Sequence, residues 1–448
     1  EITTRLVGSE MCIRDRFLLI AASIFILSFS SCDDLLDVTP KDKITPETFF
    51  STEADLQAFS TNFYNSLPKD RDLYKDDADN ITHSTPNSAA TDSRTVPASG
   101  GGWEWGYLRR FNTLLQYSVN CKDKTVRTRY QALTRFFRAY FYFEMVKRFG
   151  DIPWYDTELF VSETDQLNKP RDSRELVMKN ILEDLDFAIT NLSTTPSVYT
   201  VTKWTVLSLK SRVCLFEGTF RKYHNLNLST NADFFLQESI TASRELMKES
   251  NYTLYTEGGT NQAYRKLFTS QNAPTTEVIM ARNYNLTYDI YNTVGTYHTS
   301  VGEGRPGVTR KIIASYLMND GSRFTDNPNW ETMTFVDECK NRDPRLAQSI
   351  CTPSYQPIVS NRKNIPDLNA CVTGYQLIKY EDEAVGGKSD IDLFYFRLAE
   401  VYLNYAEALA EINQLTQDDL DISINKLRDR VGTVSYTHLR AHETRSNL

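Results

Sequence analysis

From residue 105 to residue 250 apolar side chains recur every three to four positions, the interval that lays one apolar stripe along a helix. The pattern predicts helices over 105–117, 128–148, 174–192, 203–220 and 234–248. A shorter one is expected over 53–67, where Leu56, Phe59, Phe63 and Leu67 share a face. Asp172 and Glu175, three residues apart, make a capping-box pattern that marks the start of the helix over 174–192. Between 70 and 102 the chain is a long polar loop ending in Gly100, Gly101 and Gly102, a length that is usually functional or mobile. From about 251 to 387 helical spacing gives way to turns, prolines and aromatics, and helix resumes over 391–412 and 420–430. Small residues at Ala132, Ala139, Ala188, Ala399, Ala406 and Ala408 allow close helix–helix approach, although no strict repeat period is visible. The expected fold is therefore mainly α: a tetratricopeptide-like scaffold of helical hairpins (about 46–250 and 391–432) with a large irregular, loop-rich insertion (about 251–387).

Phe17–Ser31 is a run of apolar and small residues, too short for the roughly 20 residues a bilayer-spanning helix needs but suited to the hydrophobic region of a cleaved export signal over 17–31. Cys32 follows Ser30 and Ser31 directly, which resembles a bacterial lipobox whose Cys becomes the lipidated first residue. Several acyl chains on that residue would hold the protein to a membrane, where one chain binds only marginally. Asp33 and Asp34 resemble the acidic signals that direct some lipoproteins to the outer leaflet. The competing reading is a buried N-terminal helix with a core Cys. Leu6–Arg16 and Val434–Glu443 can be encoded by opposite strands of one DNA stretch. Residues 1–16 and 434–448 are therefore expected to be adapter-derived, with the natural protein truncated at both ends.

Composition narrows the function classes. Of 448 residues 40% are hydrophobic and 24% charged, the balance of a globular protein. A net charge of -8 lacks the cationic footprint that nucleic-acid binding requires. Tyr (25), Phe (24) and Trp (5) are abundant enough to place flat rings beyond the core, where they suit the apolar faces of sugars or other small ligands. Apart from Cys12 and Cys32, the cysteines are Cys121, Cys214, Cys339, Cys351 and Cys371. The last three are close enough for one pair, but an odd set without CxxC spacing reads as isolated buried thiols rather than a disulfide framework or a zinc site. Asp76, Asp77 and Asp79 have calcium-friendly chemistry but lack the Gly and terminal Glu of an EF-hand loop, so a solvated acidic loop is expected. Only His83, His224 and His298 lie outside the adapter-like ends, and no G-x-S-x-G is present. Glu400 and Glu407 could form a carboxylate pair, but on an amphipathic helix salt-bridged or solvated acids are the default.

Several strings in fixed order carry a resemblance. They are Cys32–Pro40 CDDLLDVTP with Thr45–Phe50 TPETFF; Thr134–Pro153 TRFFRAYFYFEMVKRFGDIP; Ile181–Ala188 ILEDLDFA; Asp320 and Gly321; Asn341–Leu346 NRDPRL; Gly374 and Tyr375; and Phe396–Ala408 FRLAEVYLNYAEA with Asn425–Gly432 NKLRDRVG. Over residues 32–433 the chain resembles the SusD/RagB family of Gram-negative outer-membrane nutrient-binding lipoproteins. The resemblance implies a tetratricopeptide-like scaffold, a shallow glycan or peptide site built on inserted loops, and a role as lid over a SusC-like TonB-dependent transporter barrel. It also implies a protein lipid-anchored in the outer membrane and facing outward, with no cofactor and no chemistry of its own.

Family binding residues follow no fixed motif, so site residues are inferred from placement. The first group is Arg94, Trp103 and Trp105 beside the Gly triplet, where indoles can stack on pyranose faces; Trp105 could instead merely pack at the helix start. The second is Tyr284, Tyr288, Tyr291, Tyr297 and His298, with Trp330 a weaker addition, and about half of these tyrosines are expected in the core. In NRDPRL, Asp343 before Pro344 reads as a turn, with Arg342 and Arg345 available to pair with it; the alternative is an arginine clamp on an acidic ligand. The expected function is capture of oligosaccharides and their transfer to the transporter. The alternatives are a surface glycoside hydrolase or a peptide-binding member of the same family.

Overall fold

Most of the long helices begin where a side chain takes over the unpaired amides of the first turn. This is seen in a computed structural model that describes residues 49–73, 80–85, 88, 91–302, 304–355, 368–381 and 387–434. The export-signal stretch 17–31, Cys32, residues 1–16 and 435–448, and Asp76, Asp77 and Asp79 lie outside the described residues. Helix α1 (Glu53–Thr61) starts on a capping box in which Thr52 Oγ1 accepts from Asp55 N–H and the Asp55 carboxylate accepts from Thr52 N–H. It runs into a 3-10 turn at Asn62–Ser66 rather than continuing as α-helix to Leu67. After α2 (Gly106–Tyr117), α3 (Lys124–Phe149) starts four residues ahead of the pattern-based expectation, because the Asp123 carboxylate accepts from the N–H groups of Thr125 and Val126.

Helix α4 (Arg174–Asn191) is capped by Ser173, whose hydroxyl accepts from Leu176 N–H. The expected Asp172–Glu175 box is not formed. Asp172 instead accepts from Trp154 N–H and Lys169, and Glu175 turns to Thr230 N–H and Arg221. Helices α5 (Lys203–Tyr223) and α6 (Ala232–Glu249) complete the first run. The heaviest packing is α5 on α6, joined by the short connection 224–231, and α3 on α4, joined by the longer segment 150–173.

The helical core is sealed by aromatics and by buried ion pairs. Phe63, Phe111 and Phe137 are fully buried; Phe63 meets Phe111 edge-on with ring centroids 4.9 Å apart. Edge-to-face pairs of this kind add about 0.5–1.5 kcal/mol beyond burial. Between α3 and α4, Arg138 donates two parallel bonds to Asp184 (2.7 and 2.8 Å). Between α4 and α5, Glu217 accepts from both Arg174 and Arg221. Removing one member of such a pair leaves a buried charge and costs about 3–5 kcal/mol.

Within 251–387 the elements are short. They include α7 (Ala263–Thr269), α8 (Val294–Thr299), α9 (Arg310–Ser315) and α10 (Pro344–Ser349), with β1 (Ile81–Thr82) paired antiparallel to β3 (Gly307–Val308). Strand β2 (Val278–Arg282) pairs antiparallel with β4 (Leu393–Arg397), matching Val278 to Arg397, Met280 to Phe396, Ala281 to Phe394 and Arg282 to Leu393 with an irregular register between. The expected helix over 391–412 is thus two elements, β4 and α11 (Leu398–Glu411). The five residues LFYFR favour strand, and pairing with β2 buries Leu393 and Phe396 on the apolar strand Val278–Ala281. The expected helix over 420–430 is likewise broken, into α12 (Gln417–Ile422) and α13 (Ile424–Arg430), at Ser423, whose φ/ψ of -127/-91 is not helical. Fully buried Glu277 fastens these pieces, accepting from Arg397 on β4 and Arg430 on α13.

In NRDPRL, Asp343 caps α10 with Pro344 at its first position and pairs with Arg345, whereas Arg342 donates through its two terminal nitrogens to the carbonyls of Glu338, Ile313 and Tyr316. Glu400 is bound by Arg212 from α5. The Glu407 carboxyl is pushed up, first by burial and then by Glu411. All five described cysteines are free thiols.

Candidate functional site

Gly100, Gly101 and Gly102 bring the chain to α2 through three successive left-handed residues (φ +74, +70 and +82), a path that residues with a Cβ resist. At Gly102 a Cβ would also lie 2.9 Å from the Arg148 guanidinium carbon. The turn sets Trp103 and Trp105 edge to face, 5.1 Å apart, at the head of α2. Trp103 further meets Phe149 edge-on at 4.9 Å and keeps 37% of its surface exposed.

The facing wall is the connection from α3 to α4. Gly150 (φ +70) ends α3, and the chain after it is pinned to α2 from beneath. Asn112, 1% exposed, donates to the carbonyls of Tyr155 (2.9 Å) and Thr157 (3.0 Å), and Tyr155 N–H donates to the Tyr142 hydroxyl. Trp154 stacks on Tyr142 at 4.1 Å, with the Arg138 guanidinium 5.1 Å from its ring. Arg109 on α2 reaches Glu158 at 3.1 Å.

Between the walls is an open cleft of about 630 Å³, within the range of small-ligand sites. Trp103, Trp105, Tyr155, Phe160, Val161 and Leu167 supply its apolar surface; Arg109, Asn112, Thr157, Lys169 and Arg171 supply polar groups. Tyr155 lies edge-on to Trp105 at 5.5 Å, and Lys169 sits 4.9 Å from the Tyr155 ring. Burial, then the nearby Asp172, pushes the Tyr155 phenol up, so it stays a neutral donor. The Asp172 carboxyl is held below its usual range: burial opposes the charge, but Lys169 and Trp154 N–H outweigh it. Flat rings set among directional donors suit a pyranose, which has apolar C–H faces and a rim of hydroxyls.

Arg94 is exposed and does not line this cleft. Nor does any member of the second group. Tyr284 is buried in the core formed with Val278, Val294 and Leu393, its hydroxyl accepting from Asp70 N–H at 3.1 Å. His298 is 3% exposed beside the Lys379 carbonyl (3.3 Å), and burial lowers its pKa to about 4, so the ring is neutral. Tyr297 bonds His83 (2.9 Å) beneath the Arg71 guanidinium. Tyr288, 75% exposed, and Tyr291, with Lys388 over its ring at 4.2 Å, remain at the surface. Trp330 packs on Arg310 and Phe324; Arg310 also lines a separate polar recess of about 240 Å³.

Residues 43–208, which hold the cleft, match the family model described as "Starch-binding associating with outer membrane", and residues 266–446 match the model of the SusD family. The chain belongs to the SusD family. A SusD-like protein of Formosa agariphila is 24% identical over 427 residues, covering 89% of this chain and 78% of that protein. Among solved structures, a SusD-like protein of Bacteroides fragilis superposes with a TM-score of 0.73 at 23% identity, over 91% of this chain and 84% of the other. A second from the same organism, titled a SusD-like carbohydrate binding protein, gives 0.69 at 20% identity, over 89% and 83%. A further one, titled as holding a xylogluco-oligosaccharide, gives 0.60 at 16% identity, over 87% and 78%. At these identities the structures establish a shared fold. Among the described residues no helix is long and apolar enough to cross a membrane, and no cluster of three metal-ligating side chains is present.

In this SusD-family chain the sequence pattern marks the indoles of one wall but none of the residues opposite. Tyr155, Phe160, Lys169 and Arg171 lie about fifty to seventy residues from Trp103 and join it only through the α2–α3 hairpin. The available signal was local: Phe160 and Val161 are apolar residues in an otherwise polar stretch, and both stay exposed.

Proposed function

We propose that this chain is a cell-surface glycan-binding lipoprotein that captures oligosaccharides by contact and passes them to a TonB-dependent outer-membrane transporter. The observation that carries the reading is the open cleft whose two walls present Trp103, Trp105 and Tyr155 beside Asn112, Lys169 and Arg171. The family description and the xylogluco-oligosaccharide held by a relative support it. A peptide cargo would favour a wide acidic cavity, and the lining here is aromatic with basic side chains. Anchoring through Cys32 belongs to the same reading and is tested by fatty-acid labelling of the full-length protein against Cys32→Ser.

Calorimetric titration against a glycan panel tests binding. Trp103→Ala removes a half-exposed stacking surface worth about 1–3 kcal/mol, so affinity should fall about fivefold or more. Unchanged affinity would remove the cleft from the function. Release of reducing ends from polysaccharide by the purified protein would replace capture with hydrolysis.

A further inference from the structure

The cleft is basic where it is touched, although the protein carries a net charge of -8. Its charged lining residues are Arg109, Lys169 and Arg171, with no carboxylate among the described lining. Two of the three are already balanced, Arg109 by Glu158 and Lys169 by Asp172 at 2.8 Å. Arg171 is not. Its guanidinium donates to the main-chain carbonyls of Phe149 and Asp151 (3.2 and 3.3 Å) and lies 4.9 Å from the Trp103 ring. A second guanidinium, that of Arg148, sits beside Gly102 and 5.5 Å from the Phe149 ring, which itself packs on Trp103. Neither arginine makes an ion pair with a described residue.

The exposed indole is therefore flanked by two guanidiniums with donors to spare. Nearby acids are spent elsewhere or lie off the lining: Asp151 accepts from Arg174 N–H, Glu163 accepts from Phe160 N–H, and Glu104, Asp156 and Asp165 are exposed outside the cleft. Any preference for anions comes from contact at Arg171 and Arg148, not from a long-range field.

We infer that the cleft selects acidic glycans, sugars bearing a carboxylate or a sulfate. The anion sits on the guanidinium of Arg171, with Arg148 close by, while the adjoining pyranose lies against the Trp103–Trp105 pair. The inference rests on the glycan-capture reading and names its substrate class. A charge-assisted, bidentate bond to a planar guanidinium discriminates strongly against a neutral sugar of the same shape.

The test is calorimetry on the mature protein with tetragalacturonate against its fully methyl-esterified form, and with a sulfated oligosaccharide against its desulfated form. A neutral xyloglucan oligosaccharide serves as reference. At least one acid form should bind about tenfold more tightly than its neutral partner. Arg171→Gln should abolish that difference and Arg171→Lys should keep part of it. Arg148→Gln, which leaves the α3 terminus intact, should weaken the acid form alone, and near-UV circular dichroism checks that each variant is folded. Neutral forms binding as well as acidic ones, with Trp103 still required, would overturn the charge preference and leave glycan capture standing. Failure of every glycan to bind folded protein would overturn both.

Discussion

Asn112 is where the fold and the cleft depend on the same side chain. It is buried on α2 and ties the opposite wall down through two bonds, to the carbonyls of Tyr155 and Thr157, while its own carbonyl accepts from Arg138 at 3.3 Å. Asn112→Leu keeps the volume and deletes all three. Each neutral bond contributes about 1 kcal/mol net, and a carbonyl left buried and unpaired adds more. Here the orphans are partly rescued: the Tyr155 carbonyl still accepts from the Tyr142 hydroxyl, Thr157 is exposed to water, and Arg138 keeps both bonds to Asp184. The expected loss is therefore the two donated bonds, about 2 kcal/mol, well short of the 3–5 kcal/mol for breaking a buried ion pair. Urea unfolding followed by far-UV circular dichroism measures it, at unchanged denaturant slope. Glycan affinity should fall in parallel, because Tyr155 and Phe160 lose the anchor that keeps them opposite the indoles. A loss below about 0.5 kcal/mol, or a destabilised variant that binds glycan normally, would refute the claim that Asn112 holds the wall.

Two further predictions concern pH. Tyr264 accepts a bond from Lys379 at 2.8 Å, with the Arg430 guanidinium 5.1 Å from its ring and Arg397 nearby; burial opposes ionisation, but these cations bring the phenol down to about 8. Because the folded value lies below the ordinary 10, stability should rise between about pH 8 and 10 relative to Tyr264→Phe; an ultraviolet titration in which no phenol ionises below pH 9 would contradict this. His298 is held neutral, its folded value of about 4 lying below the ordinary 6.5, so the unfolded chain takes up the proton first. Stability should fall as pH drops from about 6.5 towards 4, and His298→Asn, which keeps a donor for the Lys379 carbonyl, should flatten that fall in thermal melts across the range.

What could be read from the chain alone was whatever depends on near neighbours. Apolar spacing located α2 to α6, since each helix must bury one stripe whatever it packs against, and the ordered strings from Cys32 to Gly432 carried the family resemblance. Trp103 and Trp105 stood out because rings next to three glycines are visible within six residues. Three features depended on partners distant in sequence. Leu393–Arg397 became a strand because Val278–Arg282 lies alongside it, and helical spacing in the next segment could not reveal that. Asp172 lost the cap of α4 to Ser173 because Trp154 and Lys169 offered its carboxylate stronger donors. The cleft exists because the α2–α3 hairpin folds residues 153–171 back over 103–112, and Arg171 faces an indole only in that pairing. Local pattern specifies which residues must be covered; only the packed chain decides which side chains are left facing one another.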